Sequence, residues 1–246
     1  MEFTFKIFSL TEKALTIQFP PQISWELIQH MHSFKYRVAQ SNIEGILNIE
    51  VSFYEVTIFF DPAKIDRTDL TAQLKNILIN DPAPEEPFPS PNTHRIPVCY
   101  DPELALDSSK MENHTGLDFE EIIHLHTQSE MHVFMLGFLP GFVYLGGMNK
   151  KISCPRHTIP RKVIPRGSVG IAGLQTGIYP IESPGGWNII GRSPLRFFPK
   201  NHHPDIHTDY PIQALDTIHF VPITRQEYEK WEGIDLHSYL MKTKGK

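Results

Sequence analysis

The chain has 246 residues, enough for one large domain or two small ones, each with a buried core. Apolar residues make up 40% and charged residues 21%, an ordinary globular balance, and no run approaches the roughly 18–20 apolar residues of a membrane helix. The net charge of −5 argues against general nucleic-acid binding, and Cys99 and Cys154 make no metal or redox spacing and read as reduced thiols.

In chain order, the start MEFTFKIFSL lacks the basic flank and apolar run of a signal peptide, so a cytoplasmic protein is expected. Residues 15–19 (LTIQF) alternate as a strand, and Trp25 to Ala39 carries a helical apolar period that Ser24 is placed to cap. Ile46–Val51 and Val56–Phe60 are strand-like runs, and Leu70 to Ile79 is again helical, started by Thr68 or Asp69. This β-α-β-β-α order predicts a ferredoxin-like α/β sandwich that needs one more strand. Ile96–Tyr100 either supplies that strand or opens the next domain. Five prolines in NDPAPEEPFPSPN (80–92) hold the chain extended and predict a linker, with domains at 1–85 and 93–246. Glu120 to Gln128 reads as a short helix. From His132 onward the runs VFML, VGIAG, IYPI, WNIIG, LRFF and TIHFVPI, cut by Gly and Pro, predict a β-barrel or sandwich. Arg225 to Met241 reads as one amphipathic helix on its outside.

Charge is distributed unevenly. Between Met131 and Pro204 nine Lys/Arg accompany a single acid, Glu182, and eleven of the fifteen glycines fall between Gly137 and Gly191. Within this region GFLPGFVYLGG (137–147) is as apolar as a core, yet its four glycines and proline forbid a regular helix or central strand. SCPRHTIPRKVIPRG (153–167) places Pro-Arg at 155–156, 160–161 and 165–166. Those arginines are either a solvated loop or guanidinium forks for carboxylate or phosphate. In SPGGW (183–187), Trp187 follows a double-glycine turn and is either core or a platform for a ligand. The sequence contains no GxxxxGK[ST], GxSxG, HExxH or helix-opening GxGxxG. GSVGIAG (167–173) continues as a strand, and NHHPDIH (201–207) reads as a solvated loop, so no metal site is expected.

The segments IIHLHT, GFLPGFVYLGG, CPRHTIPR and GSVGIAGLQTGIYPIESPGGWNIIGRSP, in that order, resemble the allophanate hydrolase subunit 1 family, densely over about residues 95–223. Over 1–92 the strand–helix pattern and the FFDP ending fit, while Val51-Ser52-Phe53 departs from the family's proline-tyrosine pair. The resemblance implies a ferredoxin-like N-terminal domain and a cyclophilin-like β-barrel C-terminal domain. It also implies one component, the B chain, of an ATP-dependent 5-oxoprolinase, which opens 5-oxoproline to glutamate. The alternative within the same family is a protein that binds and inhibits a sensor histidine kinase.

For the enzyme, chemistry and family motif together give Arg156, Arg161 and Arg192 the task of holding anionic groups and His126 that of proton transfer. Tyr144, Gln175 and Trp187 orient the ring of the small-molecule substrate, with Glu182 in the same substrate-binding set. One carboxylate is a poor magnesium site. ATP binding is therefore expected to be shared with companion 5-oxoprolinase subunits in a hetero-oligomer, and the isolated chain is expected to be inactive.

Overall fold

The computed structural model describes residues 3–80, 91–198 and 210–243. Most of the proline-dense stretch, and the histidines at 202, 203 and 207, lie outside the described residues. The chain divides into two compact units, Met1–Ser90 and Pro91–Lys246.

The first unit runs β1 (Lys6–Thr11), β2 (Ala14–Gln18), α1 (Trp25–Gln40), β3 (Ile46–Val51), β4 (Glu55–Phe60) and α2 (Arg67–Asn80). The strands form an antiparallel sheet in the order β1-β2-β4-β3. The fourth strand therefore comes from the N-terminus, not from Ile96–Tyr100. The strand β1 carries little apolar periodicity because only Ile7 among its residues is even half-buried. Register aligns Leu15, Ile58 and Ile49 across three strands, so one face of the sheet presents a continuous apolar row. Leu27, Ile28, Met31, Phe34 and Val38 supply the buried stripe of α1, and Leu70, Leu74 and Ile77 that of α2. Arg37 ties the two helices by donating from Nη1 to the Ile77 carbonyl at 2.6 Å. The hydroxyl of Ser24 accepts the Leu27 N–H at 3.2 Å, as its cap position requires. The second helix starts one residue earlier than Thr68, because Asp66 accepts the Thr68 N–H at 2.7 Å.

The second unit begins with β5 (Thr93–Val98), α3 (Ser108–Thr115), α4 (Phe119–Gln128), β6 (Met131–Leu136) and β7 (Val143–Gly146). After a 3-10 turn at Lys150–Ile152 come β8 (Arg161–Ile164), β9 (Ser168–Ala172), β10 (Gln175–Ile178), β11 (Ser183–Gly185), β12 (Asn188–Arg192) and β13 (Thr217–Pro222). The helices α5 (Arg225–Trp231) and α6 (Leu236–Thr243) follow. Seven strands form one mixed sheet in the order β12-β9-β10-β7-β6-β13-β5, with only the β13–β5 pair parallel. Beyond β5, Cys99 exchanges both backbone hydrogen bonds with Arg192 at 2.9 Å. That bridge joins the two edge strands and nearly closes the sheet into a barrel, which removes the free edges. Its interior is filled by Val98, Met131, Val133, Leu145, Ile171, Ile178, Ile190 and Ile218, all fully buried. The strands β8 and β11 pair as a separate ribbon.

The sequence reading and this unit differ at several points. The helix α3 is polar apart from buried Met111, which hides its period. LRFF forms no strand; Arg196 only bridges Asp235. The single C-terminal helix is two, because Gly233 turns the backbone to φ +81 between them.

Candidate functional site

Of the stretch 137–147, residues 137–142 form the tight turn between β6 and β7, whereas Val143–Gly146 are β7 itself, a central strand of the sheet that the glycines and proline were expected to forbid. The Leu139 N–H reaches the Gly137 carbonyl at 2.7 Å, and the Phe142 N–H reaches that of Leu139 at 3.0 Å. This turn holds Phe138 at φ +66 and leaves it 63% exposed, while Phe142 is buried. Behind it, Phe142 meets Tyr144 at 4.6 Å between ring centroids, Tyr179 at 5.0 Å and Trp187 at 5.5 Å. The packing needs a glycine beneath it. A Cβ on Gly177 would come within 2.9 Å of the Trp187 ring and 3.1 Å of the Phe142 ring.

These four aromatics floor a cleft of about 280 Å³, bordered by Phe138, Pro160, Pro184 and the Gly185-Gly186 backbone. Arg156 stands at its mouth, exposed, with its guanidinium carbon 5.9 Å from the Trp187 ring centroid, a cation–π distance. Burial raises the pKa of the Tyr144 hydroxyl, partly countered by Arg156. Burial, more than any other cause, pushes Tyr179 up to about 12. Both phenols therefore stay protonated at neutral pH and present O–H groups beside an apolar floor. The arrangement suits a small planar ring with one negative group: stacking below, a hydroxyl alongside and a guanidinium at the entrance.

Of the residues singled out by sequence, Tyr144, Arg156 and Trp187 meet in this cleft. Arg161 does not line it. Its guanidinium makes a two-pronged bond to Asp107, at 2.8 Å from Nη1 and 2.6 Å from Nη2. The same carboxylate accepts from His157 Nε2 at 2.9 Å and from the Ile189 N–H at 2.6 Å. Asp107 precedes α3 as an N-cap would, but its side chain serves the barrel instead of the helix.

His126 is likewise absent from the cleft lining. It is fully buried on α4, stacked on Phe220 at 4.6 Å, with Tyr100 at 2.9 Å from Nδ1 and Thr176 at 3.0 Å from Nε2. The Thr176 hydroxyl gives its proton to the Gly170 carbonyl, so it accepts from Nε2–H, and Nδ1 accepts from Tyr100. Burial lowers the pKa of this neutral imidazole to about 3. Gln175, Glu182 and Arg192 also stand outside the lining: Glu182 is exposed, and Gln175 and Arg192 are half-buried.

Sequence reasoning misses two residues. Tyr179 falls within a strand-like run, IYPI, although β10 ends at Ile178. Asp107 lies outside the basic segment and so escapes a count of the acids there. The signal that could have found it is its position in DSSK, an acid before a short polar helix.

The family "Carboxyltransferase domain, subdomain C and D" matches residues 5–207, which takes in the first unit and most of the near-closed barrel. The chain belongs to that family, within the group formed by the B components of 5-oxoprolinase and by allophanate hydrolase subunit 1. It is similar to the B component of 5-oxoprolinase from Bacillus subtilis, with 34% identity over 247 residues, covering 94% of this chain and 98% of that one. The crystal structure of the protein TTHA0988 superposes with a TM-score of 0.71 at 27% identity, over 86% of this chain and 40% of that one. The Kluyveromyces lactis urea amidolyase gives a TM-score of 0.74 at 17% identity over 92% of this chain and 15% of that one, a likeness of fold alone. Among the described residues no helix is long and apolar enough to cross a membrane.

Proposed function

We propose that this chain is the B component of an ATP-dependent 5-oxoprolinase, and that 5-oxoproline binds in the Trp187 cleft. The observation that carries the reading is the pairing of Arg156 with a floor of four aromatic rings, in a chain similar along 94% of its length to a protein named for that reaction. The guanidinium of Arg156 holds the substrate carboxylate, the lactam ring packs on the aromatic floor beside Trp187, and the Tyr144 O–H donates to the lactam carbonyl oxygen. Covering the cleft would exclude water and strengthen each of these contacts.

A single guanidinium among aromatic walls does not fit a triphosphate, and GSVGIAG is not a cradle. Ser168–Ala172 form the buried strand β9, where a Cβ on Gly170 would lie 3.0 Å from the Trp187 Cβ. The nucleotide is accordingly assigned to the assembled hetero-oligomer, where ATP supplies the driving force that opening a stable cyclic amide requires. The exposed rim formed by Phe138 and Ile159 beside the cleft supports docking of a companion subunit. The same rim favours the second reading, a protein that binds a sensor histidine kinase.

Calorimetric titration with 5-oxoproline separates the two readings. Arg156→Ala should weaken binding by about 1.5–3 kcal/mol through loss of a charge-assisted contact. Arg161→Ala should instead lower folding stability and leave the affinity of the folded fraction nearly unchanged. Unaltered binding by Arg156→Ala, or no binding by the wild-type complex, would return the cleft to the kinase reading.

A further inference from the structure

The basic segment holds three arginines that neither the cleft nor the Asp107 cluster uses. Arg166 follows β8, Arg192 ends β12, and Arg196 lies four residues further on. The backbone brings them to one end of the barrel. The Ser193 N–H donates to the Gly167 carbonyl at 2.8 Å, which sets the end of β12 against the Arg166-Gly167 turn. The Gly233 N–H donates to Pro194 at 2.9 Å, and the Arg196 N–H to Ile234 at 2.7 Å, which stitches the same stretch to the α5–α6 connection.

The side chains of Arg166 and Arg196 converge as well, and that of Arg192 lies along the adjoining turn. A methyl group on Gly233 would lie 3.5 Å from Arg196 Nη2 and 4.0 Å from Arg166 Nη2, so both guanidiniums close over one patch of bare backbone. Arg192 packs its Cγ 3.4 Å from the corresponding point on Gly167. All three side chains are half-buried. Compensating charge is sparse among the described residues. Glu232 stands 3.9 Å from Arg166, beyond hydrogen-bond range and half exposed. Asp235 accepts the Ser238 N–H at 3.1 Å at the start of α6, and the buried Arg192 Nε finds no hydrogen-bond partner.

We propose that Arg166, Arg192 and Arg196 form a second anion site, distinct from the cleft, that takes a phosphoryl group. A carboxylate satisfies one guanidinium fork, whereas a phosphoryl group offers several oxygens and up to two charges to arginines arriving from different sides. Trp187 and Arg192 are five residues apart along an extended chain, roughly 16 Å, so the two sites serve different ligands or two ends of one assembly. That the phosphoryl group belongs to a nucleotide rests on the ATP-coupled reading above; the site itself does not.

Titrations of inorganic phosphate, tripolyphosphate and magnesium–ATP into the full chain at low salt, followed by ³¹P NMR, test the proposal. Saturable binding of tripolyphosphate is expected, weakened at least about tenfold by Arg166→Gln and by Arg196→Gln and unchanged by Arg156→Ala. Circular dichroism checks that each variant is folded. If Arg196→Gln is not, Arg166→Gln decides, its side chain being 41% exposed. Binding of tripolyphosphate and ATP alike supports a nucleotide as the source, and binding of phosphate and tripolyphosphate without ATP keeps the site and assigns it to free phosphate. No saturable binding to the wild type, or equal affinity in the folded variants, overturns it. Titration of the same samples with 5-oxoproline reports on the cleft independently.

Discussion

Asp107→Ala should destabilise the second unit by about 3 kcal/mol, one of the two largest effects expected in this chain. Removing one partner of a buried ion pair typically costs about 3–5 kcal/mol, and the lower end applies because Arg161 is partly exposed. The carboxylate is 3% exposed and accepts four hydrogen bonds, two from Arg161 and one each from His157 and the Ile189 N–H. Alanine would leave that buried N–H without an acceptor and release the β8 segment that carries Arg161. The Asp107 N–H also donates to the Ile189 carbonyl at 2.9 Å, so the side chain completes a clamp that its backbone begins. Chemical denaturation monitored at the tryptophans measures the loss. A change below about 1 kcal/mol, the scale of an ordinary surface pair, would remove Asp107 from the architecture of the site.

The second large effect is on the pH dependence of stability, and it comes from His126. In the unfolded chain this histidine takes up a proton below its ordinary 6.5, whereas the folded, desolvated imidazole stays neutral down to about 3. The unfolded state therefore binds the extra proton in that window. The contribution is fully present above pH 6.5 and is lost as pH falls towards 3, at about 1.4 kcal/mol per unit. Between pH 6.5 and 4 that amounts to about 3 kcal/mol. Denaturation curves at several pH values should show this slope in the wild type and a shallower one in His126→Gln. Identical slopes would mean that His126 is protonated or solvent-accessible in the folded state, which would reopen a role in proton transfer.

Local patterns made much of this fold readable, and failures occurred where long-range contacts decided. The stripe of α1, its Ser24 cap and the runs at Ile46–Val51 and Val56–Phe60 follow from period and capping alone. The edge strand β1 does not, because a strand exposed on both faces carries no alternation to read. Which strands close the barrel depends on the Cys99–Arg192 bridge, between residues far apart in sequence. Within the candidate site, Trp187 and Arg156, which Gly-Gly-Trp and Pro-Arg single out, do line one cleft. The division of labour among the arginines was not legible. Arg156 and Arg161 look alike in the repeated Pro-Arg pattern, and only the arrival of Asp107 from the start of α3 distinguishes a cleft-lining cation from one held in a buried ion pair. His126 looks like a proton carrier by residue type, yet Tyr100, Thr176 and Phe220 surround it with no opening to the cleft.

The most direct measurement of the central claim is 5-oxoproline-dependent ADP release, assayed for the purified chain and for the complex it forms with the proposed companion subunits. No turnover is expected from the chain alone, and turnover is expected from the complex. Turnover by a complex carrying Arg156→Ala should fall by a factor of about ten to one hundred, the kinetic counterpart of a lost charge-assisted contact. Turnover by the isolated chain, or undiminished turnover by the Arg156→Ala complex, would contradict the claim.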